Sequence, residues 1–278
     1  MPEDRAPLFD FPAKRRAAAR AARLGGERFL ETAALEGLYD RLAPVTRRFE
    51  RGLWIGDAVP DQVRPFAQQW QSADFDTNEV LQADGPFDLA VSLFSLQWIN
   101  DLPGALIQIN RLLKADGLFV AALMGGSTLA ELREGFAQAE IQTRGGISPR
   151  VSPFADVRDL GGLLQRAGFA LPVADVERLT VRYRDLGGLV KDLRAHGFTN
   201  VMSARSRQPL RRDTLTALLA HYAAHHADPD GRLRARFETI YLTGWSPHES
   251  QQQPLKPGSA KTRLAEALGT AEHRLKGG

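Results

Sequence analysis

The sequence predicts an α/β protein built on a parallel sheet, on three observations. Phe87 to Phe94 and Leu118 to Met124 are short, nearly unbroken apolar runs, the pattern of strands buried on both faces. Between them, Leu102 to Leu113 has helical apolar spacing and is followed by the turn Ala115-Asp116-Gly117. The three pieces together have the length of one right-handed strand–helix–strand crossover. Ligands of such sheets bind beyond the carboxyl ends of the strands, which here are Ser95-Leu96-Gln97-Trp98 and Gly125-Gly126-Ser127-Thr128.

The remaining elements follow in order. Ala13 to Arg23 is an Ala/Arg-rich exposed helix by its composition. Glu27 to Leu42 repeats apolar residues at Phe29, Leu30, Ala33, Ala34, Leu38 and Leu42, a stripe suited to docking on the sheet, and Pro44 stops it. Leu53-Trp54-Ile55 before Gly56 reads as a short first strand, with Pro60 in the first turn of a following helix. Trp70 to Phe75 is expected to be a second strand. Phe154 to Ala167 is a helix closed by Gly168, and Val173 to Tyr183 is strand-like. Leu186 to His196 and Leu210 to Ala224 are helices, and Arg236 to Trp245 is a late edge strand. The organisation expected is amino-terminal helices over 1–48, a sheet domain over 49–248 with a helical insertion at about 184–228, and an extended tail over 249–278, in which Gln251 to Lys261 is polar and contains Pro254, Pro257 and Gly258.

Composition narrows the function. The 278 residues are 43% hydrophobic, enough for a sizeable core. The 36 basic and 33 acidic residues leave a formal charge of only +3, weak support for nucleic-acid binding. Without cysteine there is no disulfide, thiolate nucleophile or Cys-ligated metal. No apolar run approaches the roughly 20 residues that span a bilayer. Arginine is strongly preferred over lysine, as in GC-rich bacterial genomes, so the expected location is the bacterial cytoplasm, or the mitochondrial matrix for a eukaryotic chain.

Several side chains invite chemistry. Trp98, at a strand end, either walls a ligand or packs as an ordinary tryptophan. Glu131 and Arg133 belong to a helix after the glycine pair, lining the cleft or facing solvent. From Pro65 through Asn110 there is no Lys or Arg, yet Asp74, Asp76, Glu79, Asp84, Asp88 and Asp101 all occur. Gathered at a cleft mouth they would attract a cationic partner; otherwise they cap turns and helices. His221 and His225 share a helix face at a spacing of four, with His226 beside them. Two histidines and a carboxylate can hold iron, but exposed histidines on a polar helix are common, and no metal site is expected.

The motifs SLQWINDLP (95–103), LLKADGLF (112–119), GGSTLAELR (125–133), GGISPRVSPFADVRDLGGLLQRAGF (145–169), RDTL (212–215) and GWSPHES (244–250) are together specific. They resemble a branch of the class I S-adenosylmethionine-dependent methyltransferases, the arginine-hydroxylase type of complex I assembly factor from mitochondria and its alphaproteobacterial relatives. The likeness runs roughly from Leu8 to Leu268. It implies a three-layer, Rossmann-like class I methyltransferase sheet, here with a shortened amino-terminal half and extra carboxyl-terminal helices. It also implies S-adenosylmethionine as cofactor, and as client an iron–sulfur subunit of NADH:quinone oxidoreductase modified on an arginine. The carrier-protein methyltransferases of biotin synthesis share the element matched by Gly125 to Leu132 but lack the SPR-x-SPF and GWSPHES matches.

Carried onto this chain, the resemblance assigns Gly56, Asp57, Asp74, Asp84, Ser95 and Trp98 to the cofactor, Asp74 at the ribose hydroxyls and Asp84 on the adenine side. Gly125, Gly126, Thr128, Glu131, Arg133, His248 and Glu249 are candidates for the substrate cleft. No catalytic base is implied, because methyl transfer from a sulfonium needs mainly alignment and a nucleophilic acceptor. The chain departs from the family in LWIGDAVP (53–60), where Trp54 stands in place of an acidic residue and Ala58 and Pro60 in place of glycines. Loss of two or three contacts of about 1–1.5 kcal/mol each would weaken the cofactor by about two to three powers of ten. That leaves two classes open, an enzyme and a non-catalytic assembly chaperone.

Overall fold

The computed structural model describes residues 6–252 and divides the chain into two units, one ending at Pro247 and the other beginning at His248. In the first unit the chain runs through α1 (Phe11–Leu24), α2 (Phe29–Leu42), β1 (Phe49–Ile55), β2 (Ala67–Ala73), β3 (Phe87–Leu93), α3 (Leu102–Leu112), β4 (Leu113–Met124), α4 (Ala130–Arg144), α5 (Val157–Arg166), β5 (Ala170–Tyr183), α6 (Leu186–Ala195), α7 (Arg212–His225) and β6 (Leu233–Trp245). The strands form one sheet in the order β2-β1-β3-β4-β6-β5. The first four are parallel, whereas β6 runs antiparallel to both β4 and β5.

The three layers follow from the two faces of the central strands. Leu89, Val91, Leu118, Val120 and Ala122 point to one side and are covered by Leu30, Ala34 and Leu38 of α2. Ala90, Phe119, Ala121 and Leu123 point to the other, under Leu106 and Ile109 of α3 and Leu160 and Leu164 of α5. This is the alternation a strand imposes, with both faces apolar because helices cover both.

Local chemistry starts the helices where the sequence says. Asp10 accepts from Ala13 N at 2.9 Å to open α1, Asp101 from Gly104 N at 2.9 Å to open α3, and Asp185 from Gly188 N at 2.9 Å to open α6. Ala13, Ala17 and Ala21 form the buried stripe of α1, small enough for the turn at Gly197 to approach.

Four expectations are corrected. Ala115-Asp116-Gly117 is not a turn between elements but part of β4, which begins at Leu113 rather than Leu118; Asp116 takes a φ of 62° within it, a local bend that reads in sequence as a turn. Pro60 begins no α-helix: the connection from β1 to β2 holds only the single 3-10 turn Arg64–Phe66, so the shortened amino-terminal half omits the helix that would follow β1. The second strand begins and ends earlier than Trp70–Phe75. And β6 is an interior strand, with β5 on the edge. It also begins at Leu233, three residues before the expected Arg236, because its long pairing with β5 extends it, and that pairing is a tertiary fact. Of the expected tail, all but residues 249–252 lies outside the described residues.

Candidate functional site

The carboxyl ends of β1, β2 and β3 open into a cleft of about 440 Å³, within the range of about 300–1,000 Å³ typical of small-molecule sites. Gly56, Asp57, Asp74, Ser95 and Trp98 all line it. Gly56 follows β1 directly and donates to Ala73 O at 2.9 Å, which binds the loop to the end of β2. Its φ of 151° lies outside the ordinary L-residue regions, and an added Cβ would stand 2.9 Å from Trp54 Nε1. Trp54 is buried, with its indole packed beneath the glycine. Asp74 stands just past β2, exposed, with Oδ1 accepting from Phe75 N at 2.8 Å. Ser95 Oγ donates to Ile55 O at 3.2 Å and joins the ends of β1 and β3.

The far wall comes from elements that sequence reasoning did not connect to the site. Lys14 of α1, Arg28 and Glu31 at the start of α2, and His196-Gly197-Phe198 after α6 all line the cleft. Lys14 Nζ is buried without a hydrogen-bond partner. The Glu31 carboxylate meets His196 Nδ1, while His196 Nε2 is likewise buried and unpartnered. Buried polar atoms left unpaired are costly, so two such atoms in one cleft mark places where a polar ligand would repay its own desolvation. The available signal was slight: Lys14 is the one lysine in an arginine-rich helix.

A second cavity, about 220 Å³, adjoins the first, with Trp98 and Phe198 lining both. Trp98 is edge-on to Phe9 and Phe154, each at 5.5 Å between ring centroids, and 6.3 Å from Phe198. It is packed among aromatic rings and lines both cavities. Met124, Thr128, Phe154, Arg150 and Arg194 are among the second cavity's other lining residues, and no carboxylate lines it. Arg150 is tied to buried Glu140 at 2.7 Å, whereas Arg194 is exposed.

Other candidates have structural partners. A Cβ on Gly125 would lie 2.4 Å from Glu238 Oε1. The glycine lets the backbone cross Glu238, whose carboxylate accepts from Ser127 Oγ at 2.6 Å and Arg178 Nε at 2.8 Å. Gly126 N donates to Ala155 O at 3.1 Å, and Thr128 Oγ1 bonds both N and O of Glu238. Glu131 accepts from Arg236 N at 3.2 Å. The Arg133 guanidinium bonds the carbonyls of Gly126, Thr128 and Ser152, and burial pulls its pKa down. Thr128 alone of these five lines the second cavity. His248 and Glu249 fall in the unit beginning at His248, where His248 Nδ1 and Ser250 Oγ are 2.6 Å apart.

The acidic run is dispersed. Asp84 lies before β3, at the amino end of the sheet and away from the cleft, its carbonyl taking Arg51 Nη2 at 2.9 Å. Glu79 accepts from Asn100 N and Asp101 N, Asp76 from Asn78 N and Val80 N, and Asp88 pairs with Lys114 at 3.0 Å. Only Asp74 of the six reaches the cleft; capping and pairing engage the carboxylates of Asp76, Glu79, Asp88 and Asp101.

These features have known counterparts. The family model described as a methyltransferase domain matches residues 10–172, more than half of the chain. The chain belongs to the methyltransferase-domain family. Among curated proteins it is 42% identical over 183 residues to the mitochondrial arginine-hydroxylase NDUFAF5 of Danio rerio, covering 66% of this chain and 57% of that one. It is 43% identical to the human protein of the same name, covering 66% and 53%. The malonyl-[acyl-carrier protein] O-methyltransferase of Laribacter hongkongensis is 35% identical, covering 66% and 59%. This methyltransferase-domain chain thus spans little more than half the length of these relatives. The solved YcgJ protein of Bacillus subtilis shares the fold at 13% identity with a TM-score of 0.50, covering 77% of this chain and 99% of that one. No described helix is long and apolar enough to cross a membrane.

Proposed function

We propose that the protein binds S-adenosylmethionine in the cleft beyond β1–β3 and modifies, or helps assemble, a protein client through the adjoining cavity. The supporting observation is the Lys14 ammonium, buried without a hydrogen-bond partner on a residue that lines the cleft together with Gly56 and Asp74. A cofactor with a free carboxylate at one end and ribose hydroxyls near the other suits that donor set. Lys14 would hold the carboxylate and Asp74 the hydroxyls. His196 Nε2 offers one more polar contact, and Asp57 and Glu31 add negative charge that favours a sulfonium. When bound, the cofactor supplies an electrophilic methyl group. The protein's part is alignment, with Trp98 and Phe198 bounding the passage between the two cavities.

The client reading rests on likeness: relatives named arginine-hydroxylase are 42–43% identical. An arginine on an iron–sulfur subunit of respiratory complex I is the acceptor this favours, in the cytoplasm of a bacterium. Aromatic walls at Trp98, Phe154 and Phe198 suit a planar guanidinium. A specific observation favours a second reading. The cavity lining has two arginines and no carboxylate, which suits a negatively charged acceptor such as a carrier-protein acyl carboxylate, the substrate class in the name of the 35% identical relative.

The test is to incubate the protein and S-adenosylmethionine, in aerated buffer with an added electron donor, with the purified iron–sulfur subunit and, separately, with malonyl-carrier protein, and to map mass gains. A gain of one methyl or one oxygen on a subunit arginine supports the first reading, and a methyl ester on the carrier supports the second. No change in either substrate contradicts an enzymatic role towards both.

A further inference from the structure

The helix pair α4 and α7, with the end of β6, gathers titratable groups outside the cleft and cavity already described. The close approach begins at Gly135, where a Cβ would lie 2.8 Å from Leu218. His221 occupies the face of α7 turned to α4. His226 is the carboxyl cap, and its φ of −128° departs from the helix. That break, rather than helical spacing, brings its ring near His221, at 5.8 Å between centroids. From α4, Glu134 completes the group, and one ligand-type atom from each of the three lies within 4.8 Å of the others.

The distances separate an ion site from a hydrogen-bonded cluster. Glu134 Oε1 stands 3.5 Å from His221 Nε2, and Oε2 stands 3.6 Å from His226 Nε2. Both are too long for good hydrogen bonds, and both histidine Nε2 atoms are buried with no partner among the described residues. Ligands about 2.0–2.1 Å from a tetrahedral metal are separated by about 3.3–3.4 Å, close to the spacing from each histidine to one oxygen of Glu134. Imidazole and carboxylate without thiolate suit zinc, iron or cobalt. The Glu134 side opens to a cleft of about 350 Å³ whose other lining includes Glu131, Arg234 and Arg236. The arginine charges are partly answered, Arg236 by Glu131 at 3.8 Å and Arg234 by Asp228 at 3.5 Å.

We infer that Glu134, His221 and His226 form a binding site for a divalent transition-metal ion of the zinc class, with water in the remaining position. The sequence pairs His221 with His225, but His225 is exposed and its neighbour takes the inward place. The ion joins α4 to α7 and supplies the contacts that the two Nε2 atoms lack.

The test uses full-length, tag-free protein stripped with chelator and titrated with Zn2+ by calorimetry and with Co2+ by visible absorption. The expected result is one equivalent bound, with the intense visible bands of tetrahedral cobalt and a rise in Tm. His226→Gln and Glu134→Gln should each weaken binding by more than about tenfold, the scale lost when even an outer partner of a metal ligand is removed. His225→Gln should bind like the unaltered protein. The Glu134 side chain is 54% exposed, so Glu134→Gln keeps the fold and its thermal unfolding without metal checks this. Failure to bind either ion below millimolar concentration overturns the proposal, as does binding that survives Glu134→Gln and His226→Gln or that is lost in His225→Gln.

Discussion

At the scale of single residues, the cleft depends on a few groups whose partners do not satisfy them. Lys14 is the clearest, and a hydrogen bond to a charged group contributes about 1.5–3 kcal/mol. Lys14→Met should therefore weaken S-adenosylmethionine binding by about tenfold or more while leaving thermal stability intact or improved, as paired calorimetry and melting would show. Glu140 is the opposite case, a fully buried carboxylate that is completely satisfied. Burial would raise its pKa, but bonds from Ser148 N at 2.6 Å, Ser148 Oγ and Arg150 outweigh that and hold it below the usual range. Glu140→Gln strands the Arg150 guanidinium, so a loss of about 3 kcal/mol is expected in urea unfolding. Neither role was legible in the sequence. Lys14 stands in a basic helix and Glu140 in the middle of α4, and only the folded chain shows that one lacks a hydrogen-bond partner and the other has several.

At the scale of elements, much more was legible. The strand–helix–strand unit of β3, α3 and β4 was readable because its apolar runs are continuous and Asp101 precedes Pro103 at a helix start. Asp101→Ala should remove the bond to Gly104 N and cost about 1 kcal/mol, measurable as a lower urea midpoint at unchanged slope. The β1–β2 connection was misread because Pro60 is as compatible with a turn as with a helix start, and nothing local distinguishes them. Likewise, the amino-terminal helices carried no sign that α1 and the turn after α6 would pack together to form one wall of the cleft. Their approach is recorded in small residues, Ala17, Ala18 and Ala21 against Gly197, and small residues are uninformative until the partner is known.

At the scale of the whole molecule, buried or partly buried carboxylates couple stability to acidity. Asp88, Glu140 and Glu238 are each raised by burial and lowered further by hydrogen bonds and cations, with a net depression. Carboxyls of the unfolded chain titrate near 4, so this stabilisation is complete above about pH 5 and is lost as pH falls through 4 towards the folded-state values. Urea midpoints should be nearly flat from about pH 7 to 5 and fall steeply below about 4. Glu238→Gln should reduce that fall, because Ser127 and Arg178 would no longer hold an ionised group.

The sheet that creates the cleft is thus well specified by sequence, whereas the altered loop around Trp54 leaves cofactor binding as the central claim. Its most direct test is calorimetric titration of the purified protein with S-adenosylmethionine and S-adenosylhomocysteine. The account predicts micromolar binding of both, weakened by Lys14→Met and by Asp74→Asn. Absence of binding at millimolar cofactor would contradict it, and would make the cleft that of an assembly partner acting without the cofactor.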